Sequence, residues 1–135
     1  MTTAMLDDPD AAAALAAAID FLRARVVPLL PPREAFEARV LASLLEMVGR
    51  EMTIGGEGER AEVERLRRLL GQDGDLALLN AEFSRRIAEG ALDPADPAVA
   101  GHLWATTIEK LAVDQPRYAA YRRVLGERAA SPTKE

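Results

Sequence analysis

Seven polar residues carry most of the chemistry this 135-residue chain could perform: Arg39, Ser43, Asn80, Lys110, Asp114, Arg117 and Tyr118. Five of them stand on the second, fourth and fifth predicted helices, at the edge of or among apolar positions. Arg39 and Ser43 border the apolar arc of the second helix. Asn80 falls at the edge of the stripe on the fourth, where a buried amide without a partner costs about 1–3 kcal/mol. Thr107, Lys110 and Asp114 follow one another at spacings of 3 and 4 on the fifth helix, among Leu103, Trp104 and Leu111. Lys110 is the one lysine of the helical body, the other being Lys134. Brought together between the second, fourth and fifth helices, these groups would form a polar pocket for an anionic or hydroxylated ligand.

The same residues have structural readings. Asp114 is placed to cap a sixth helix two residues before Pro116, and Lys110 with Asp114 makes an ordinary i,i+4 pair. Arg39 could pair with Glu46, and Asn80 could bind a helix end. A third reading is an interface patch, with tyrosine anchored among Arg117, Arg122 and Arg123. Trp104, Tyr118 and Tyr121 themselves read as core or core edge. His102 lies beside Thr106 and Glu109 on what the pattern presents as the solvent face of the fifth helix, so it reads as a surface histidine.

Several chemistries are excluded. The chain has no cysteine and one histidine, which removes disulfides, thiolate nucleophiles and multi-histidine metal sites. The Gly55–Gly58 run is followed by acid rather than lysine, so it is no phosphate-binding loop. No Glu-x-x-His occurs, Asp73 and Asp75 lack the rest of a calcium loop, and nothing local supports a serine triad. No cofactor is expected. A net charge of −5 argues against nucleic acid as partner. No stretch approaches the ~20 apolar residues of a bilayer span, and the acidic start at Asp7, Asp8 and Asp10 is unlike a signal peptide, so a cytoplasmic protein without a membrane is expected.

Ala and Leu together supply 44 residues against 12 for Val and Ile, a balance that favours helix. Six helices are predicted. Asp8-Pro9 opens the first, whose stripe of Leu15, Ile19, Leu22 and Val26 ends near Val27 ahead of Pro28. The second runs from about Arg33 to Thr53; Phe36, Val40, Leu41, Leu44, Leu45, Met47, Val48 and Met52 cover about half its circumference, which predicts a central helix. Gly55–Gly58 is the predicted flexible loop. The third helix, Glu59 to Leu70, stops at Gly71. Asp73 or Asp75 caps the fourth, which ends at Gly90; Asp96-Pro97 opens the fifth, to about Val113; Pro116 opens a short sixth. No segment alternates with period two. The expected fold is therefore all-α, a single-domain irregular bundle over residues 1–128, with a disordered tail over 129–135.

The string Lys110 to Tyr118, KLAVDQPRY, followed by Tyr121, joins FEARVLASLLEMVGRE from Phe36 to Glu51, the opening Pro9-Asp10, Phe21-Leu22 and Leu79-Asn80. Together they resemble a family of small, uncharacterised bacterial proteins classed as a domain of unknown function, over roughly Pro9 to Arg122. Family members often carry Asn where this chain has Ser43. The resemblance brings no activity with it. It implies a context: genes standing beside an aminoglycoside-phosphotransferase-like kinase and an acyl-CoA dehydrogenase.

The expectation is a non-enzymatic accessory or binding subunit acting with the kinase-like neighbour, in acyl-CoA or hydroxyacyl catabolism, or else assembling as a homo-oligomer. The alternative is a binding module whose pocket, lined by Arg39, Asn80 and Lys110, takes an acyl-CoA or phosphorylated acid. An enzyme using Lys110 and Asp114 as acid and base is the third reading.

Overall fold

Asp10 sets where the chain becomes helical. Its side chain accepts a hydrogen bond of 2.7 Å from the Ala13 N–H, so the first helix, α1, spans Ala11–Phe21 rather than opening at Asp8-Pro9. The computed structural model describes residues 8–130, and among them every regular element is a helix. After α1 the backbone widens into a π turn, Leu22–Val26, and tightens into a 3₁₀ turn, Val27–Leu29. Pro28 lies in that last turn, and a proline ring removes a donor and crowds the preceding turn. α2 spans Pro32–Arg50 with proline, rather than a capping side chain, at its start.

The glycine-rich run predicted as a loop is helical instead. A π turn at Glu51–Gly55 leads directly into α3, Gly56–Leu70. The Thr53 hydroxyl donates to the carbonyls of Gly49 (3.0 Å) and Arg50 (3.2 Å), taking up acceptors where helical bonding changes register. Glu57 and Glu59 in the first turn complement the positive end of the α3 dipole. α3 stops at Gly71, which adopts φ +65°, a left-handed conformation that glycine takes without a Cβ clash.

Of the two candidate caps, Asp75 is the one used: its side chain accepts from Leu78 N–H at 2.9 Å and opens α4, Leu76–Ala88. Asp96 does the same for Ala98 at 2.8 Å, with Pro97 beginning α5, Pro97–Asp114. α6 covers Ala119–Ala130. It begins three residues after Pro116, because Gln115 to Tyr118 form a turn closed by Tyr118 N–H on the Gln115 carbonyl. Asp114 is therefore the last residue of α5 and not a cap on α6. Ala129 and Ala130 of the expected tail belong to α6, and residues 131–135 lie outside the described part.

The chain divides into two compact units, Met1–Ile54 and Gly55–Glu135. In the first, α2 packs on α1, and Ile19, Val27, Ala35 and Ala42 are buried. The second holds the larger core. Leu66 and Leu70 of α3 meet Leu79 and Phe83 of α4 and Val99 of α5, with Val63, Leu69, Leu76, Ile87 and Leu92 around them. α3, not α2, is thus the helix that gathers the principal core, since it packs on both α4 and α5. The expectation for α2 failed because the side it buries carries small residues, while its large apolar residues face outward.

Two substitutions check this division. Leu66→Ala, at a fully enclosed position, should cost about 2–5 kcal/mol in urea unfolding, whereas Leu78→Ala, on the exposed side of α4, should change stability by no more than about 0.5 kcal/mol.

Candidate functional site

The buried polar chemistry of the second unit centres on Arg65 of α3. Its position on the helix faces α5, where His102, Thr106 and Glu109 recur at i, i+4 and i+7 and so share one face. The guanidinium spans all three. Its terminal nitrogens donate to Glu109 Oε1 at 2.8 Å and Oε2 at 2.6 Å, a two-pronged ion pair, and one of them also reaches Thr106 Oγ1 at 3.1 Å. Its Nε donates to His102 Nδ1 at 3.3 Å. One turn earlier on α3, the buried Glu62 accepts from Asn80 Nδ2 of α4 at 3.1 Å.

His102 is therefore not a surface histidine. It is 4% exposed and its ring meets Phe83 edge-on, with centroids 5.0 Å apart. The amphipathic reading of α5 inverted its faces: the side with His102, Thr106 and Glu109 turns inward, because the facing side of α3 supplies Arg65 as their partner. Burial, followed by the positive charge of Arg65, pushes the His102 pKa below its ordinary value, against smaller opposing effects of Glu62 and Glu109. The neutral ring is the form that can accept a hydrogen bond at Nδ1. The Glu109 hydrogen bond raises the Arg65 pKa despite partial burial, so Arg65 stays charged.

A second cluster ties α4 to the end of α3. Glu82 accepts from Arg85 and Arg86, which hold its pKa down to about 2. Arg86 also donates to the Leu70 carbonyl at 3.0 Å, filling an acceptor that the α3 terminus leaves open, and to the Gln72 side-chain oxygen at 3.2 Å.

The seven residues singled out in the sequence have separate fates. Asn80 is engaged by Glu62, the hydrogen-bonded amide its position demanded, though its partner is a side chain rather than a helix end. Arg39 and Ser43 are exposed on α2 in the first unit, and the Ser43 hydroxyl donates to the Arg39 carbonyl at 3.1 Å. The ion pair with Glu46 is made by Arg23 at 3.1 Å. Lys110, Asp114, Arg117 and Tyr118 are all exposed in the second unit. Among the described residues, Lys110 and Asp114 form no ion pair with each other. Trp104 is 56% exposed and Tyr118 is exposed as well, contrary to their reading as core, while Tyr121 is half-buried. Arg65, Glu62 and Glu109 were missed as a set; the one available signal was the polar i, i+4, i+7 series on α5, which needs a polar partner helix to become a buried face. Among the described residues no three His, Asp or Glu side chains gather as a metal site.

What this arrangement does chemically is to hold helices together. Arg65 spends its donors on α5, and Glu62 receives α4. The other side of α5 is exposed: Leu103 and Trp104 stand there with Thr107, Lys110 and Asp114 beside them.

A model of a family described as a domain of unknown function, DUF6285, matches residues 28–118, from ahead of α2 to just beyond α5. No curated protein and no solved structure matches the chain.

Two measurements test the clamp. Because the His102 pKa is lowered on folding, its contribution to stability is complete above the unfolded value of about 6.5 and is lost as pH falls through the folded value. Wild-type protein should lose unfolding free energy between pH 7.5 and 5.5, and His102→Gln should flatten that slope; an unchanged slope would show that other groups set it. Arg65→Ala strands Glu109 and should cost about 2 kcal/mol at pH 7 by urea unfolding.

Proposed function

We propose that this chain, which belongs to the DUF6285 family, is a non-enzymatic, protein-binding accessory subunit whose docking surface is the outer side of α5. The observation that carries the reading is the exposure of Leu103 and Trp104 on a helix whose opposite side is fully engaged. Tryptophan and arginine are over-represented among residues that dominate interface energetics, and an apolar centre edged by charge is the usual interface anatomy. Lys110 and Asp114 supply that edge, and Arg117 and Tyr118 follow directly after α5. Four of the seven residues that the sequence nominated for a ligand pocket, Lys110, Asp114, Arg117 and Tyr118, thus serve as the rim of a protein contact.

A non-catalytic role is supported by the mutual saturation of the buried ionisable groups: Arg65, Glu109 and His102 satisfy one another rather than face a substrate. The partner is the phosphotransferase-like kinase implied by the family resemblance, within bacterial acyl-CoA or hydroxyacyl catabolism in the cytoplasm. No described helix is long and apolar enough to cross a membrane.

Co-expression with the kinase-like protein, followed by light scattering after size exclusion, should give a stable hetero-complex. Trp104→Ala should weaken it by about 30-fold or more, as expected for loss of about 2 kcal/mol at a central anchor, while leaving the circular dichroism spectrum unchanged. Two separate peaks at concentrations well above micromolar, or a complex indifferent to Trp104→Ala, would overturn the proposal.

A further inference from the structure

α2 turns two unlike sides to its surroundings. Ala35, Ala42 and Gly49 recur every seven residues, and they form the side that packs within the first unit. A Cβ added at Gly49 would stand 3.5 Å from a Leu15 methyl, so α1 and α2 approach closely along this line. The opposite side carries Phe36, Val40, Leu41, Leu44 and Val48, all exposed, with Phe36 reaching 62%, and exposed Met52 follows in the π turn that continues α2. Met47, half-buried, completes the set.

This apolar set is symmetric about Leu44. Counting equally in both directions along the chain pairs Val40 with Val48, Leu41 with Met47 and Phe36 with Met52, while half-buried Leu45, at the edge of the arc, is matched by Ser43. On a helix, residues equally spaced on either side of a central one also lie at equal angles about the axis to either side of it. The stripe is therefore its own complement when turned end for end. A two-fold axis through Leu44 would set two α2 helices antiparallel, with Leu44 on Leu44, Val40 on Val48, Leu41 on Met47 and Phe36 on Met52. Any isologous contact pairs residues reciprocally; here both members of each pair are apolar, and the Met52 sulfur would meet the Phe36 ring.

The area is sufficient. Six large side chains about half exposed amount to roughly 500 Å² on each copy, so that a pair buries about 1,000 Å², the lower bound for a specific interface. A patch of this size lies in the upper part of the range for the largest apolar patch on a monomer, and such patches are often functional. At each end the antiparallel arrangement places Glu51 of one copy opposite Glu37 of the other, one turn from Arg33, which already holds Glu37 at 3.2 Å. One guanidinium would then serve two carboxylates.

We infer that the α2 stripe is the two-fold interface of a homodimer of this chain. The inference stands apart from the α5 surface, which belongs to the other unit.

Sedimentation equilibrium of the full chain at micromolar concentrations should give twice the 14.6 kDa of one copy. Leu44→Glu places two carboxylates face to face on the axis and should return the mass to that of one copy with helical content unchanged, Leu44 being exposed within the chain. Glu51→Lys should tighten the dimer several-fold by turning the Glu37 contact attractive, a response that only this antiparallel register predicts. Leu44→Cys, in a chain with no other cysteine, should join to a second copy through a short bis-maleimide, while Ser84→Cys on the other unit should not. A monomeric wild type at 100 µM, or a dimer unaffected by Leu44→Glu and Glu51→Lys, would overturn the assignment, whatever happens at Trp104.

Discussion

The second unit depends on one guanidinium. Arg65 reaches across from α3 and makes four hydrogen bonds to three side chains of α5, so the two helices are held in one register as well as at one distance. A hydrophobic contact between Leu66 and Val99 is non-directional and would tolerate sliding. A two-pronged bond from Arg65 to Glu109 would not. Its partial burial strengthens the constraint, because a displaced helix would leave a carboxylate or an arginine without a partner in a poorly hydrated place. The apolar cluster supplies the driving force for folding this unit, and the polar row alongside it specifies the fit.

The same residues define which sides of the helices remain available. Since His102, Thr106 and Glu109 are committed to α3, the other side of α5 must face outward with Leu103 and Trp104 on it. An amphipathic helix normally hides its apolar side. Here a polar side is hidden, by pairing, and an apolar side is displayed. In α2 a related inversion has a different cause. Its inner side is made of Ala35, Ala42 and Gly49, residues small enough to let α1 come close, and close approach leaves no room there for leucine and phenylalanine. Both units therefore present large apolar side chains on helices whose other sides are already occupied.

Composition and punctuation alone gave much of the local architecture. The scarcity of β-branched residues made the chain helical, Asp75 and Asp96-Pro97 opened α4 and α5, and Gly71 closed α3, since each of these acts within a few residues of itself. Local punctuation failed where two signals competed. Gly55–Gly58 reads as a loop from its glycines, yet helix on both sides and an unwound π turn carry the backbone through it. Asp10 overrode Asp8-Pro9 because its carboxylate is the one within reach of the free N–H groups.

What the sequence could not decide was which side of each helix is inside. A hydrophobic stripe predicts burial only if a matching apolar surface arrives to meet it, and that depends on residues tens of positions away. Arg65 and Glu109 lie 44 positions apart, and His102 is buried only because Arg65 and Phe83 come to it. Asn80 could be read correctly as a bonded amide from its own helix, for the requirement that buried polar groups be paired is local to the group. The identity of its partner, Glu62, is not local, and only the packing of α3 against α4 supplied it.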